Sequence, residues 1–356
     1  MLISESLIIE CDRAVRTARC GNMRLGLEMA RRAYRQARAE GAQPELLLAL
    51  NTLAICQGTS GSYIESVATA IDAFRLATKL ADVEGAAHAL TTLAGSSNFI
   101  LDTADVAMKM LDFCLARGAA LGDKSLEVRV RNARGVNLGL MNRFAEADEE
   151  FSQALALIDR SDGTTPASFI VGNMAHFHVK KAALAVAGSR PELLATAGKS
   201  IDDALERAVR EQNIGAEVRA YFNRGLLYLQ VDDPRNALKL FAKSLELAEP
   251  LNLKSRVIDT YIEIGVAHVA LEQFEEAVAA YDAAFKEADS QRPSKQLTVA
   301  LEGLAAVYDK MELPRKAAHS RSMVKHERAA FERESEHARR ELTSFWREIE
   351  RTVGVS

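Results

Sequence analysis

Two stretches decide the fold: NRGLLYLQVDDPRNALKLFAKSLELA (223–248) and EIGVAHVALEQFEEAVAAYDAAFKEA (263–288). Superposed at a step of 40 residues, they align Gly225 with Gly265, Ala237 with Ala277, Phe241 with Tyr281 and Ser244 with Ala284. Offsets of 4 and 7 from each alanine put these residues on one helical face. The glycine twelve positions upstream belongs to a different helix. Turns separate the two, at Gln230-Val231-Asp232-Asp233-Pro234 in the first copy and Leu271-Glu272-Gln273 in the second. Each stretch therefore reads as two antiparallel helices brought close by small residues. The bulky residue at +4 is expected to fill the gap against the next pair. A lone pair cannot bury its apolar face, so pairs must stack.

The same alanine recurs at Ala107, Ala147, Ala197, Ala237, Ala277 and Ala317, in steps of 40, 50, 40, 40 and 40. Gly95, Gly135 and Ala305 stand at the upstream offset in other copies. The segment RGVNLGLMNRFAEADEEFSQALALI (134–158) carries the pattern nearly as well. YIESVATAIDAFRLA (63–77) and RLGLEMARRAYRQA (24–37) follow it loosely. Extended along the chain, the period gives about eight hairpins over residues 1–322. The fifth unit is enlarged, about 161–210, and its extra ten residues are bounded by Ser161-Asp162-Gly163-Thr164-Thr165-Pro166 and Gly188-Ser189-Arg190-Pro191. A helix of over 20 residues is expected there from about Ala167 to Ala187. The enlargement is either a tolerated elongation or a ridge that shapes a groove.

Small, small, aromatic and small at these offsets resembles the tetratricopeptide repeat family. The period exceeds that family's basic ~34 residues. It is similar to the long-helix variety found in bacterial regulators and in scaffolds of the kinesin light-chain type. The resemblance implies an all-α, right-handed superhelical solenoid of antiparallel hairpins. It also implies a non-enzymatic scaffold or regulatory module that binds a protein or peptide on its concave face. Arrays that precede diguanylate cyclase domains share this arrangement, which implies an alternative: a ligand-responsive sensory module that signals or dimerises through its C-terminal helix.

In the family the first helix of each hairpin lines the concave face, often with asparagine two residues before the small anchor. Asn173 before Ala175 and Asn223 before Gly225 match, and Asn132 precedes Gly135 by three. Arg129, His176 and Arg219 lie about one turn away on the same helices. An amide both donates and accepts, and a guanidinium suits a carboxylate. These six residues are the expected partner groove, centred on units four to six, for a segment bearing an acidic group. The competing expectation is that they are solvated or bond from helix to helix.

From Met323 to Arg351 there is no glycine or proline, so a helix over 323–352 runs past its hairpin. Phe331, Ser335, Ala338, Leu342, Phe345 and Ile349 follow one another in steps of 4 and 3, a heptad seam. The seam either folds back to cap the solenoid or joins two copies as a homodimer, and Trp346 beside it suits both.

Composition narrows the rest. Net charge is −4, with basic residues interleaved among acids, so no nucleic-acid footprint is expected. Cys11, Cys20, Cys56 and Cys114 lack metal-ligand spacing and read as reduced thiols. No signal peptide and no apolar run near ~20 residues is present, which gives the expectation of a cytoplasmic protein with no membrane partner. No phosphate loop, nucleophile elbow or zinc motif occurs, so no enzyme, cofactor or metal is expected.

Overall fold

A computed structural model describes residues 4–101, 103–158, 165–251, 253–288 and 294–353. Sixteen helices follow one another among the described residues, and no strand. They pair as α1 (Glu5–Arg19) with α2 (Met23–Glu40), α3 (Gln43–Thr59) with α4 (Tyr63–Leu80), and α5 (Val83–Leu101) with α6 (Ala104–Leu121). Next come α7 (Lys124–Leu140) with α8 (Phe144–Leu157), and α9 (Ala167–Ala183) with α10 (Arg190–Arg210). The last three pairs are α11 (Ile214–Gln230) with α12 (Pro234–Ala248), α13 (Lys254–Ala270) with α14 (Phe274–Glu287), and α15 (Lys295–Lys310) with α16 (Pro314–Val353). The protein is an all-α superhelical solenoid. The stretches 161–164 and 289–293, where sequence placed turns between hairpins, lie outside the described residues.

Local chemistry sets the helix starts. Side chains of Asn22, Asp123, Asn213, Asp233 and Ser294 each accept the amide of the residue three further on, satisfying a donor the helix cannot. Proline opens α12 and α16, where a missing N–H costs nothing. The three-residue turn inside a hairpin uses one left-handed residue, found at Gly21, Gly61, Asn142, Asp232, Glu272 and Glu312. Only the first two are glycines, so the later turns hold an L-residue in a region it disfavours.

All six periodic alanines are fully buried. The aromatic four residues later does more than reach the next pair: it sits on the glycine of its own hairpin. A Cβ on Gly135 would stand 2.6 Å from Phe151 Cε1, and one on Gly265 2.7 Å from Tyr281 Cε1. Tyr281 also presses on Gly303 of α15, so one ring joins two hairpins.

The enlarged fifth unit corrects an expectation. Its first helix is no longer than the others: α9 ends at Ala183 after 17 residues. The extra length lies in the turn at 184–189 and in α10, which has 21 residues. Gly188 lies in that turn and Pro191 in the first turn of α10, where a missing N–H costs nothing, so both mark the start of α10 rather than the end of α9.

First helices touch their successors all along the chain, whereas second helices make no comparable contact. First helices therefore form the inner layer and second helices the outer one. The superhelix also closes on itself. Arg19 Nη1 donates to Thr165 Oγ1 at 2.7 Å, Met23 packs against the cluster of Val218 and Val257, and a Cβ on Gly21 would stand 2.5 Å from the Gly215 amide nitrogen. The turn of the first hairpin thus abuts the starts of α9, α11 and α13.

Helix α16 is 40 residues long. Beyond its hairpin with α15 it reaches back to α5 and α6. Leu342, Phe345, Trp346 and Ile349 are buried there in one cluster with Phe74, Met110 and Leu111. Phe345 meets Phe74 edge-on at 5.3 Å and Trp346 meets Phe113 at 6.5 Å. No helix among the described residues is long and apolar enough to cross a membrane.

Candidate functional site

The inner layer carries a polar ladder that passes from one first helix to the next. It starts where Arg129 on α7 donates to His88 Nδ1 and, at 3.1 Å, to Thr92 Oγ1, both on α5. Asn173 Nδ2 on α9 donates to Asn132 Oδ1 on α7 at 2.9 Å. Asn173 Oδ1 in turn accepts from Arg219 Nη1 on α11. Asn223 Nδ2 donates to the Gly172 carbonyl at 3.3 Å, and His176 Nδ1 donates to Asn223 Oδ1 at 3.2 Å. On α13, Arg256 Nη1 lies 3.5 Å from Asp259 Oδ2, and Gln296 on α15 donates to Asp259 and, at 3.0 Å, to the Ser255 carbonyl.

All six residues singled out from sequence stand on this ladder, in three connected groups, and they bond from helix to helix. Asn223 is fully buried and its amide is satisfied at both ends, so it fixes α11 against α9. Asn173 and Arg129 are nearly as buried. The cations are the unusual members. The Arg219 guanidinium stands 5.1 Å over the Phe169 ring and that of Arg256 4.3 Å over Phe222. Burial and the Arg256 charge depress the Arg219 pKa to about 10. Burial and the same two guanidiniums push His176 down to about 4, so its ring is neutral near pH 7. No carboxylate contacts Arg219 among the described residues. Of the two guanidiniums, Arg256 has Asp259 beside it and Arg219 has no carboxylate in contact.

Sequence missed the continuation of the ladder onto α13 and α15. Glu263 stands two residues before Gly265, at the asparagine register, but Arg256, Asp259 and Gln296 fit no asparagine pattern; their shared inward face in successive first helices was the available signal. It also missed two clusters assembled from distant residues. His178 on α9 bonds Ser200 Oγ at 2.7 Å and Asp148 Oδ1 at 2.8 Å, a serine, a histidine and an aspartate in line. The serine is not presented for attack. Its hydroxyl donates to the Thr196 carbonyl at 3.0 Å, and Ser200 lies inside α10, whose amides are committed to the helix. The cluster ties α8, α9 and α10 together. Glu84, His88 and Asp123 also converge, with His88 Nε2 3.2 Å from Asp123 Oδ2. Arg129 donates to the other ring nitrogen, which puts the histidine proton on Nε2, where a cation would need the lone pair.

The heptad seam is placed differently from a free face. Leu342, Phe345 and Ile349 are covered by α4–α6 of the same chain. Phe331 lies against Lys295 Nζ at 5.8 Å, and the side chain of Ala338 lies outside the described residues.

A solenoid of helix hairpins with a polar inner face defines a class of repeat protein, and comparison with known proteins names the repeat. Residues 218–250 and 258–290 match the tetratricopeptide repeat family. No curated protein matches the sequence. Among solved structures, a Rap protein complexed with competence and sporulation factor aligns with a TM-score of 0.58 at 13% identity, over 98% of this chain and 99% of that one. An IFIT1 monomeric mutant with m7Gppp-AAAA aligns at 0.51 and 13% identity, over 89% and 73% of the two chains. A tetratricopeptide repeat protein from Parabacteroides merdae aligns at 0.49 and 15% identity, over 85% and 99%. Two tetratricopeptide repeats therefore lie in the chain, at α11–α12 and α13–α14, within a helix-hairpin solenoid that shares its fold with these structures.

Proposed function

We propose that the protein is a non-enzymatic scaffold whose inner face receives an extended peptide segment through an acidic group. One observation carries this: Arg219, with Arg256 beside it, is held over an aromatic ring in a desolvated part of the inner layer and lacks a carboxylate partner. A guanidinium is costly to desolvate unpaired, so a site that holds Arg219 over an aromatic ring without a carboxylate is suited to an incoming anion. Arg219 and Arg256 supply the charge, Asn132 and Asn173 supply amides that an extended backbone can reach, and Asn223 and His176 hold α9 against α11. Arg129 marks the far end of the groove. The Rap protein, alike over almost the whole of both chains, is complexed with competence and sporulation factor, which supports an occupant of the solenoid in a fold of this extent.

The test is photocrosslinking with a library of random heptapeptides. A benzophenone amino acid in place of His176, on the inner face, is expected to label bound peptides. The same group in place of Lys239, exposed on outer helix α12, is expected not to. Labelling at Lys239 with none at His176 contradicts the assignment.

A second reading has its own observation in support. Because α16 ties the last hairpin to α4–α6, occupancy of the groove and the seating of α16 both depend on superhelical pitch. The protein would then act as a ligand-responsive module that signals, or pairs with a second copy, when Phe331, Ala338, Leu342, Phe345 and Ile349 are released.

A further inference from the structure

We infer that the groove is bipolar: α13 supplies a cation-binding pole, centred on Glu263, beside the anion-binding pole at Arg219 and Arg256, so the ligand is a peptide carrying both charges. This rests on the peptide-binding reading and names the ligand class for that site.

Three observations support the second pole. Arg256, Asp259 and Glu263 recur at intervals of three and four, which places them on one face of α13, in the inner layer. Glu263 occupies the register position that Asn223 holds one repeat earlier. Asn223 uses its amide hydrogens to bond the Gly172 carbonyl of the preceding inner helix. Glu263 makes no hydrogen bond or ion pair among the described residues, so the bond that Asn223 makes to the preceding inner helix has no counterpart at this position. Its neighbours are a second acid, Asp259, and the buried ring of Tyr281 on α14. Burial and the Asp259 charge push its carboxyl up to about 7. A structural role would be served better by glutamine, which can complete the ladder. A half-buried acid beside another acid is instead suited to a ligand ammonium or guanidinium.

Spacing fixes the ligand further. Seven residues of helix between Arg256 and Glu263 span about 10 Å. An extended peptide covers that in about three residues. The ligand's basic group therefore lies about three positions from its carboxylate.

Selection from the random heptapeptide library, read by sequencing the bound peptides, tests this with the wild-type chain, Arg219→Gln and Glu263→Gln. For wild type the expected result is enrichment of peptides that carry Lys or Arg two to four positions from an acidic group, by roughly five-fold or more. Glu263→Gln is expected to keep the acidic enrichment and lose the basic one; Arg219→Gln does the reverse. Acidic enrichment alone in wild type, or basic enrichment that survives in Glu263→Gln, overturns the bipolar groove and leaves peptide binding standing. If no peptide class is enriched by the wild-type chain, both fall.

Discussion

At the scale of single residues, the fold depends on contacts in which an aromatic ring takes the place of a side chain that glycine lacks. Gly265 beneath Tyr281 and Gly135 beneath Phe151 are the clearest. Gly265→Ala forces the ring out of a packed position and is expected to destabilise by about 1–3 kcal/mol in urea unfolding. Gly95, in α5 with nothing within 4 Å of a built Cβ, is the contrast. Gly95→Ala is expected to stabilise by about 0.5–1 kcal/mol, because only helix propensity changes. Glu263 makes a pH-dependent prediction. Its carboxyl faces Asp259 and the Tyr281 ring, and is raised from 4.5 to about 7, so the folded state holds the proton more tightly than the unfolded chain. Stability from this group is therefore full below about pH 4.5 and is lost as pH rises through about 7. Glu263→Gln is expected to raise stability at pH 8 by about 1–2 kcal/mol, a figure discounted for its partial contact with solvent, and to change little at pH 4.5. Equal effects at both values would contradict the assigned cause. The asparagines of the ladder were legible because Asn173 and Asn223 keep register with Ala175 and Gly225. Glu263 was legible in the same way, two residues before Gly265, but Arg256 was not, because a single charged residue on a helix carries no local mark of facing inward.

At the scale of elements, α16 departs most from a plain repeat. Its middle, from Arg321 to Glu341, is largely exposed, while both ends are anchored, one on α15 and the other on α4–α6. Trp346 is the only tryptophan in the chain and is buried at the distal anchor. Its emission therefore reports on the strap without a label. Phe345→Ala, which removes the edge-on contact with Phe74, is expected to cost about 3 kcal/mol and to red-shift Trp346 emission. Unchanged emission in that variant would mean the strap is held elsewhere. The heptad spacing was visible from sequence, yet it could not choose a partner: a stripe of Leu342, Phe345 and Ile349 fits another helix and the outside of α4–α6 equally well. The break in the fifth unit was misplaced for a related reason. Gly188-Ser189-Arg190-Pro191 signals a stop, but Leu184 to Val186 fit a continuing helix as well as a turn.

At the scale of the whole molecule, the solenoid is wound tightly enough for its first hairpin to touch its sixth and seventh. Gly21 and Gly215 permit this by bringing two backbones together, and Arg19 reaches Thr165, 146 residues away. The repeat period dictated hairpin stacking but not this closure, which depends on small rotations summed over many units. Gly215→Leu is expected to open the closure, raising the radius of gyration in small-angle scattering while helix content by circular dichroism stays constant. An unchanged radius would show that the contact does not set the pitch. Within the inner layer burial and the Arg256 charge act on Arg219, and that desolvated charge supports the claim that the groove binds an acidic peptide segment. The most direct measurement is isothermal titration of one library-selected heptapeptide into the wild-type chain and into Arg219→Gln. The expected result is a loss of affinity of about ten-fold or more with the fold intact, the size of a partly desolvated ion pair. Equal affinity for the two proteins would contradict the placement of the ligand's acidic group at Arg219.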